Sequence, residues 1–121
     1  MNRLLFRYEP ETEALYKATA DALAESMNEA LRDQGQIVLG LCGGRSAQGV
    51  FTFLKEAEVP WERVHIFMVD ERILPIESSE RNFALVKQYL VGPLIKSSEL
   101  PAENVHPFIP QSKHEDFGVK E

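Results

Sequence analysis

Cysteine and long apolar runs are what this sequence lacks most clearly. Cys42 is the single cysteine, so an internal disulfide cannot form. No apolar run approaches the roughly 18 residues that a membrane-spanning helix needs. The first residues also lack the apolar core and small-residue cleavage site of a signal peptide. These absences argue against a disulfide-stabilised scaffold and a membrane span, and we expect a soluble cytoplasmic protein.

Clusters of basic residues are also missing. The 121-residue chain carries 13 Lys and Arg against 19 Asp and Glu, which gives a formal net charge of −6. Nucleic-acid binding requires Lys and Arg concentrated on one surface, so we expect no nucleic-acid partner. A small anionic substrate is still compatible with this charge, because a few backbone N–H groups at a helix terminus can bind one.

Side chains suited to metal binding are few. His65 lies within an apolar run, and His106 and His114 lie near the C-terminal end. None has acidic residues or a cysteine at the spacing of a metal site, so the sequence predicts no metal. We interpret His65 as a core or hydrogen-bonded residue rather than a catalytic base, and Cys42 as a small buried residue.

An alternation of apolar runs and amphipathic stretches fills most of the chain. Helix-like spacing of apolar residues covers Glu11–Asp33, the segment from Ala47 to before Pro60, and the segment from Asn82 onward. Runs typical of strands cover Leu4–Glu9, Gln36–Leu41, Val64–Val69 and Asn104–Pro110. Strands that alternate with helices predict an α/β fold with a parallel sheet, whose strands are buried on both faces.

The length of the chain is that of one domain, or of one part of a larger domain. We therefore treat residues 1–121 as a single unit, with the polar residues 111–121 as a loose tail. Trp61 follows Pro60 in a connection, and we expect it to pack on the edge of the sheet.

The stretch LCGGRSAQG joins the second predicted strand to the second predicted helix. Gly43 and Gly44 allow backbone N–H groups to approach an anion, and the helix that follows points its positive end at the same place. Arg45 and Ser46 add a guanidinium and a hydroxyl. By itself this loop is either a phosphate cradle or a tight turn without a ligand.

Neither common nucleotide motif fits this loop. Val50 and Phe51 stand where a Walker A motif requires Lys and Ser or Thr. The glycines at 40, 43 and 44 do not have the spacing of a dinucleotide fingerprint. The sequence therefore predicts no nucleotide cofactor.

The stretch VDERILP places three charged residues directly after a buried strand. Asp70, Glu71 and Arg72 stand where charge is unfavourable unless it is paired or used. A carboxylate beside a guanidinium can position water and stabilise a developing oxyanion. The alternative is an ion pair with a purely structural role.

Taken in order, LCGGRSAQGVFTFL, VPWERVHIFMVDERILP, SSERNFALVKQYL and PAENVHPF resemble the N-terminal half of the 6-phosphogluconolactonase family. The resemblance covers almost the whole chain. It implies a Rossmann-like three-layer fold with helices on both faces of the sheet, of which this chain is an N-terminal portion of the sugar-phosphate isomerase/CoA-transferase-like type. It also implies hydrolysis of a phosphorylated sugar lactone without a metal or organic cofactor.

The resemblance assigns roles residue by residue. It implies that the sugar phosphate binds at Gly43, Gly44, Arg45 and Ser46. It implies that the reacting lactone contacts the Asp70–Arg72 triplet, with Asp70 and Arg72 as catalytic residues and Glu71 in substrate binding. Asn82 matches the Asn of the family's Ser-Asn pair, and we assign it to substrate binding.

The chain departs from the family pattern in three ways. Ala47 replaces a Pro that usually follows the glycine loop, and Arg81 replaces the Ser that usually precedes the Asn. The family's Gly-x-Asp-Gly-His-x-Ala-Ser-Leu-Phe-Pro segment, whose His is taken as the general base, has no counterpart. We therefore expect that the complete protein needs a further C-terminal half or a partner chain, and that residues 1–121 alone are inactive.

Two other functions fit parts of the pattern. A glucosamine-6-phosphate deaminase or isomerase shares the fold type, but such enzymes usually have a Met-Asp-Glu-Tyr-like segment where this chain has Val69-Asp70-Glu71-Arg72. A non-catalytic half-fold that binds a sugar phosphate would account for the missing general base.

Overall fold

The computed structural model describes residues 11–109. Its main elements are α1 (Thr12–Asp33), β1 (Ile37–Leu41), α2 (Arg45–Leu54), β2 (Val64–Met68), α3 (Asn82–Val86), α4 (Gly92–Lys96) and β3 (Val105–His106). A π-helical turn, Lys87–Val91, joins α3 to α4 in one continuous helical segment. The predicted strand Leu4–Glu9, the predicted tail 111–121 and His114 lie outside the described residues.

The three strands form one parallel sheet in the order β1-β2-β3. Leu39 pairs with Ile66, which in turn pairs with Val105 on the next strand. The helices connect successive strands, as the alternating pattern predicts, so the predicted parallel α/β fold is confirmed.

Three predicted boundaries are wrong. The second helix ends at Leu54 rather than just before Pro60. The last strand spans only Val105–His106 rather than Asn104–Pro110, because Pro107 has no N–H to continue the hydrogen-bond ladder. The second helix begins at Arg45 rather than Ala47. Gly44 takes a positive φ of 112°, which turns the chain directly from the loop into the helix.

The sheet has one covered face and one open face among the described residues. Five side chains of β1 and β2 are buried on the covered face and join the helices in a single core: Leu39, Leu41, Val64, Ile66 and Met68. On the opposite face, Val38 is 69% exposed and Phe67 is 40% exposed. The expected second layer of helices is therefore not found within residues 11–109, and the expectation of strands buried on both faces is wrong for this part.

Trp61 lies in the core rather than on the sheet edge, with 0% of its surface exposed. It opens the 3₁₀ turn Trp61–Arg63 that leads into β2. Arg63 in the same turn donates hydrogen bonds to the carbonyl oxygens of Leu31, Gln34 and Gly35. These bonds satisfy carbonyls at the end of α1 and fix that helix to the start of β2.

None of the helices within residues 11–109 has the length and apolar character needed to cross a membrane.

Candidate functional site

The glycine-rich loop after β1 and the charged loop after β2 lie side by side at the carboxyl ends of these two strands. The amide of Val69 donates to the carbonyl oxygen of Leu41 at 2.8 Å, which holds the two strand exits side by side. The loop that begins the stretch Gly43–Ser46 follows β1, and the triplet Asp70–Arg72 follows β2. In parallel α/β sheets, ligands bind at this edge, so the topology places the two predicted motifs where a site forms.

The N-terminus of α2 is open to a ligand. Gly44 is its N-cap residue, and no side chain within residues 11–109 caps the first turn. The first helical amides, at Arg45, Ser46 and Ala47, have no acceptor within the helix, because no helical carbonyl precedes them by four residues. Arg45 and Ser46 are exposed. Backbone donors at the positive end of a helix, with a guanidinium and a hydroxyl beside them, form a suitable environment for a phosphate.

Asn82, the first residue of α3, lies between the two loops. Its Nδ2 atom lies 3.4 Å from Oδ1 and 3.5 Å from the backbone oxygen of Asp70. On its other side, a Cβ atom added to Gly43 would lie 2.5 Å from Asn82 Oδ1. The structure therefore brings Gly43, Asp70 and Asn82 into contact, although they are separated in the sequence.

Glu71 turns away from solvent and binds the start of α3. Its Oε1 atom accepts hydrogen bonds from the amides of Arg72 at 2.8 Å and Asn82 at 2.5 Å. Its Oε2 atom accepts one from the amide of Phe83 at 2.9 Å. Oε2 also lies 3.3 Å from Nε of Arg81, and the side chains of Arg81 and Glu71 are 1% and 5% exposed. The N-terminus of α3 is thus occupied by a protein carboxylate, unlike that of α2.

The surroundings of Glu71 favour its ionised form. Burial raises the pKa of Glu71, but the three amide hydrogen bonds and the nearby charge of Arg81 outweigh burial and hold the pKa below its ordinary value. Glu71 is therefore a carboxylate at neutral pH. Its negative charge lies at the positive, N-terminal end of a helix and therefore interacts favourably with the helix dipole.

Arg81 is the one residue of this network whose role the sequence reasoning missed. It is 3% exposed, and its Nη2 atom donates to the carbonyl oxygen of Phe108, just after β3. Its Nε and Nη1 atoms are buried without a hydrogen-bond partner among residues 11–109, so the contact of Nε with Glu71 is ionic only. The sequence marks Arg81 only as an unusual residue before Asn82, because its partners lie 10 and 27 residues away.

The remaining predicted residues are more exposed. Arg72, two positions after Asp70, lies on the surface, and within the described part of the chain its guanidinium has no ion-pair partner. It is therefore available to a ligand. Cys42 is exposed rather than buried, because it follows Leu41, the last residue of β1 and the last one there that packs into the core.

The two described histidines contact one another on the open face of the sheet. His65 Nδ1 lies 3.1 Å from His106 Nε2, so the interpretation of His65 as a hydrogen-bonded residue is confirmed. Phe67 stacks on the ring of His106 with 4.4 Å between ring centroids. No group of three or more potential metal ligands occurs among residues 11–109.

A family profile decides the relationship of the chain to known proteins. The profile described as glucosamine-6-phosphate isomerases/6-phosphogluconolactonase matches residues 10–119. The chain belongs to this family. The match includes every predicted site residue, so the two loops and Asn82 lie within the family's shared region.

Several proteins similar to this chain are 6-phosphogluconolactonases. The chain is 38% identical over 84 residues to a 6-phosphogluconolactonase from Neisseria meningitidis, a match that covers 69% of this chain. The crystal structure of the 6-phosphogluconolactonase from Thermotoga maritima superposes with a TM-score of 0.67 at 29% identity over 76% of this chain. That of a 6-phosphogluconolactonase from Shewanella baltica gives a TM-score of 0.72 over 93% of this chain at 22% identity, which supports the fold.

The chain spans less than half the length of these relatives. The matches cover 36% of the Neisseria protein, 40% of the Thermotoga chain and 45% of the Shewanella chain. The matched region is the N-terminal part of the relatives.

Proposed function

We propose that this chain forms the N-terminal part of a 6-phosphogluconolactonase, which hydrolyses 6-phosphoglucono-1,5-lactone to 6-phosphogluconate. The observation that carries the proposal is the convergence of Gly43, Asp70 and Asn82 beside the open N-terminus of α2. The 38% identity to a lactonase supports the choice of reaction.

The two loops divide the substrate between them in this proposal. The phosphate binds at the first turn of α2, where Gly43 and Gly44 admit it and Arg45 and Ser46 add donors. The opposite, lactone end of the sugar then lies toward the Asp70–Arg72 loop and Asn82. The first turn of α2, which no described side chain caps, supports the phosphate position. The guanidinium of Arg72, which has no ion-pair partner among residues 11–109, supports the lactone position.

The proposed reaction is ester hydrolysis with no metal or organic cofactor. Water attacks the ring carbonyl carbon, and the carbonyl oxygen becomes an oxyanion that Arg72 stabilises. The bond between that carbon and the ring oxygen then breaks, and the ring oxygen takes up a proton. Asp70, held by Asn82, orders the polar groups around the attacked carbon. The base that removes the proton from water comes, in this proposal, from a segment outside residues 1–121, because the chain lacks the family's His-containing segment and its two described histidines contact one another on the open face of the sheet.

The open face of the sheet supports the proposal that the complete protein contains more than residues 1–121. Val38 and Phe67 expose apolar surface there, and the chain covers only 36% to 45% of its relatives. We propose that the remaining part of the complete protein, or a partner chain, covers this face and supplies the general base. We also place the complete enzyme in the cytoplasm, and the exposed free thiol of Cys42 is consistent with a reducing compartment.

Substrate turnover by the complete protein tests the proposal. Freshly generated 6-phosphoglucono-1,5-lactone should disappear faster than by spontaneous hydrolysis, and residues 1–121 alone should give only the spontaneous rate. Glucosamine 6-phosphate should release no ammonia. Ammonia release without lactone hydrolysis would instead assign a deaminase. Binding of 6-phosphogluconate without turnover of either substrate would assign a non-catalytic sugar-phosphate-binding protein.

A further inference from the structure

We infer that Glu71 and Arg81 form a buried ionic clamp that positions Asp70, Arg72 and Asn82 for the reaction, and that Glu71 does not itself contact substrate. This inference rests on the proposed lactonase function and adds a positioning role to it. The Glu71–Arg81 clamp is defined by these two residues and the backbone groups they bind.

Both oxygens of the Glu71 carboxylate are already bound by the protein. A carboxylate offers about four acceptor positions. Three backbone amides, those of Arg72, Asn82 and Phe83, take up three of them, and the Nε atom of Arg81 forms an ion-pair contact with Oε2 at 3.3 Å that is not a hydrogen bond. With 5% of its side chain exposed, Glu71 also cannot be reached from the solvent side of the site. The substrate-binding role that the family resemblance implies for Glu71 is therefore replaced by a positioning role.

The residues that the clamp holds are the direct neighbours of the proposed catalytic groups. Asp70 and Arg72 flank Glu71, and Asn82 follows Arg81. When Oε1 binds the amides of both Arg72 and Asn82, it fixes the loop after β2 against the first turn of α3. The Asn82–Asp70 contact of 3.4 Å depends on this arrangement, because Asp70 directly precedes Glu71 and the amide of Asn82 itself binds Glu71.

Arg81 extends the clamp to a third loop. Its Nη2 atom donates to the carbonyl oxygen of Phe108, so one guanidinium connects the exit of β3 with the exit of β2. Removal of one member of a buried ion pair leaves the other charge without compensation. Loss of either residue is therefore expected to move the loop, rather than only to remove a surface contact.

The variants Arg81→Met and Glu71→Gln in the complete protein test this role. Met keeps an unbranched apolar stem but loses the charge, and Gln keeps the shape of Glu71 but loses its negative charge. We expect kcat for the lactone to fall by about 100-fold, the size of effect that a misplacement of about 1 Å produces. KM and the affinity for 6-phosphogluconate should change less than about threefold, because the phosphate binds at α2. Arg81→Lys should restore part of kcat.

Arg63→Ala is the matched control for stability. Arg63 also connects separate segments through three carbonyl oxygens, but it lies at the opposite end of β2 from the site. This variant should lower Tm without lowering kcat at a temperature where it is folded. In Arg81→Met, hydrogen exchange of the Asn82 and Phe83 amides should accelerate at least tenfold, whereas in Arg63→Ala it should not.

The outcomes separate the clamp from the proposed function. A wild-type protein that does not hydrolyse the lactone contradicts the proposed function. An active wild type, with Arg81→Met and Glu71→Gln lowering Tm but leaving kcat and KM unchanged, overturns the clamp while the function stands. A large rise in KM of Glu71→Gln for the lactone, at unchanged kcat, would restore Glu71 to substrate binding and also overturn the inference.

Discussion

The Asn82 side chain occupies the space that Gly43 leaves open and donates to Asp70 from its other end. A Cβ on Gly43 would lie 2.5 Å from Asn82 Oδ1, while Asn82 Nδ2 lies 3.4 Å from Asp70 Oδ1. The glycine of the first loop, the carboxylate of the second and the first residue of α3 thus form one contact chain. The geometry explains why a glycine is needed at 43 beyond any requirement of the turn.

Gly43→Ala should reduce lactone hydrolysis by displacing Asn82. The added methyl group would also meet Asn82 Cγ at 2.9 Å and Cβ at 3.1 Å, so rotation of the terminal amide alone does not relieve the clash. We expect kcat/KM of the complete protein to fall at least tenfold, since Asn82 then loses Asp70. Gly35→Ala is the control, because a Cβ there meets nothing within 4 Å. Equal activity of the two variants would contradict the role of Asn82.

Gly44→Ala should weaken both the fold and anion binding. Gly44 has φ 112° and ψ 164°, a region that is essentially restricted to glycine. Placing alanine there costs about 1 to 3 kcal/mol of unfolding free energy or reorients the start of α2. Urea unfolding measures the first effect, and titration with 6-phosphogluconate measures the second. A variant with unchanged stability and unchanged affinity would show that the positive φ is not needed.

Acidification should destabilise the protein partly through Glu71. Its pKa in the folded state lies below the ordinary value of 4.5, so the folded state favours the ionised form. The resulting stability is fully present above the unfolded pKa and is lost as the pH falls through the folded pKa. Glu71→Gln should therefore be less stable than wild type at pH 7, with the difference shrinking below about pH 4. A stability difference that grows on acidification would show that folding raises the pKa of Glu71 instead of lowering it.

The open sheet face should make residues 1–121 associate when they are separated from the rest of the protein. Val38 is 69% exposed and Phe67 is 40% exposed on that face, and apolar patches of this kind drive association. Sedimentation of residues 1–121 should show oligomers or aggregates, which Val38→Asp should reduce. Leu15→Asp, at a residue that is 39% exposed on α1, is the control and should have little effect. A clean wild-type monomer that unfolds cooperatively would contradict this expectation.

Local sequence patterns predicted most of the fold within residues 11–109. The β-branched run before Gly43 and the spacing of apolar residues after Glu11 are local signals, and the strands and helices that they predict are present. The predicted length of β3 is too great because the apolar residues Phe108 and Ile109 are typical of a strand, although Pro107 ends the hydrogen-bond ladder.

The candidate site was predicted as two loops but not as a connected network. Order along the chain indicated that Gly43 and Asp70 meet at the same sheet edge, because both follow parallel strands. The Glu71–Arg81 clamp was not predictable, since it depends on the path of the loop between β2 and α3, for which no periodic pattern exists. The exposure of Cys42 depends in the same way on the direction of a loop.

The crystal structure of the complete protein with bound 6-phosphogluconate tests the central claim most directly. We predict that the phosphate accepts hydrogen bonds at about 3 Å from amides in the first turn of α2, beside Arg45 and Ser46. The carboxylate end of the ligand should lie next to Asp70, Arg72 and Asn82. A phosphate bound elsewhere, with the N-terminus of α2 free of ligand, would contradict the account.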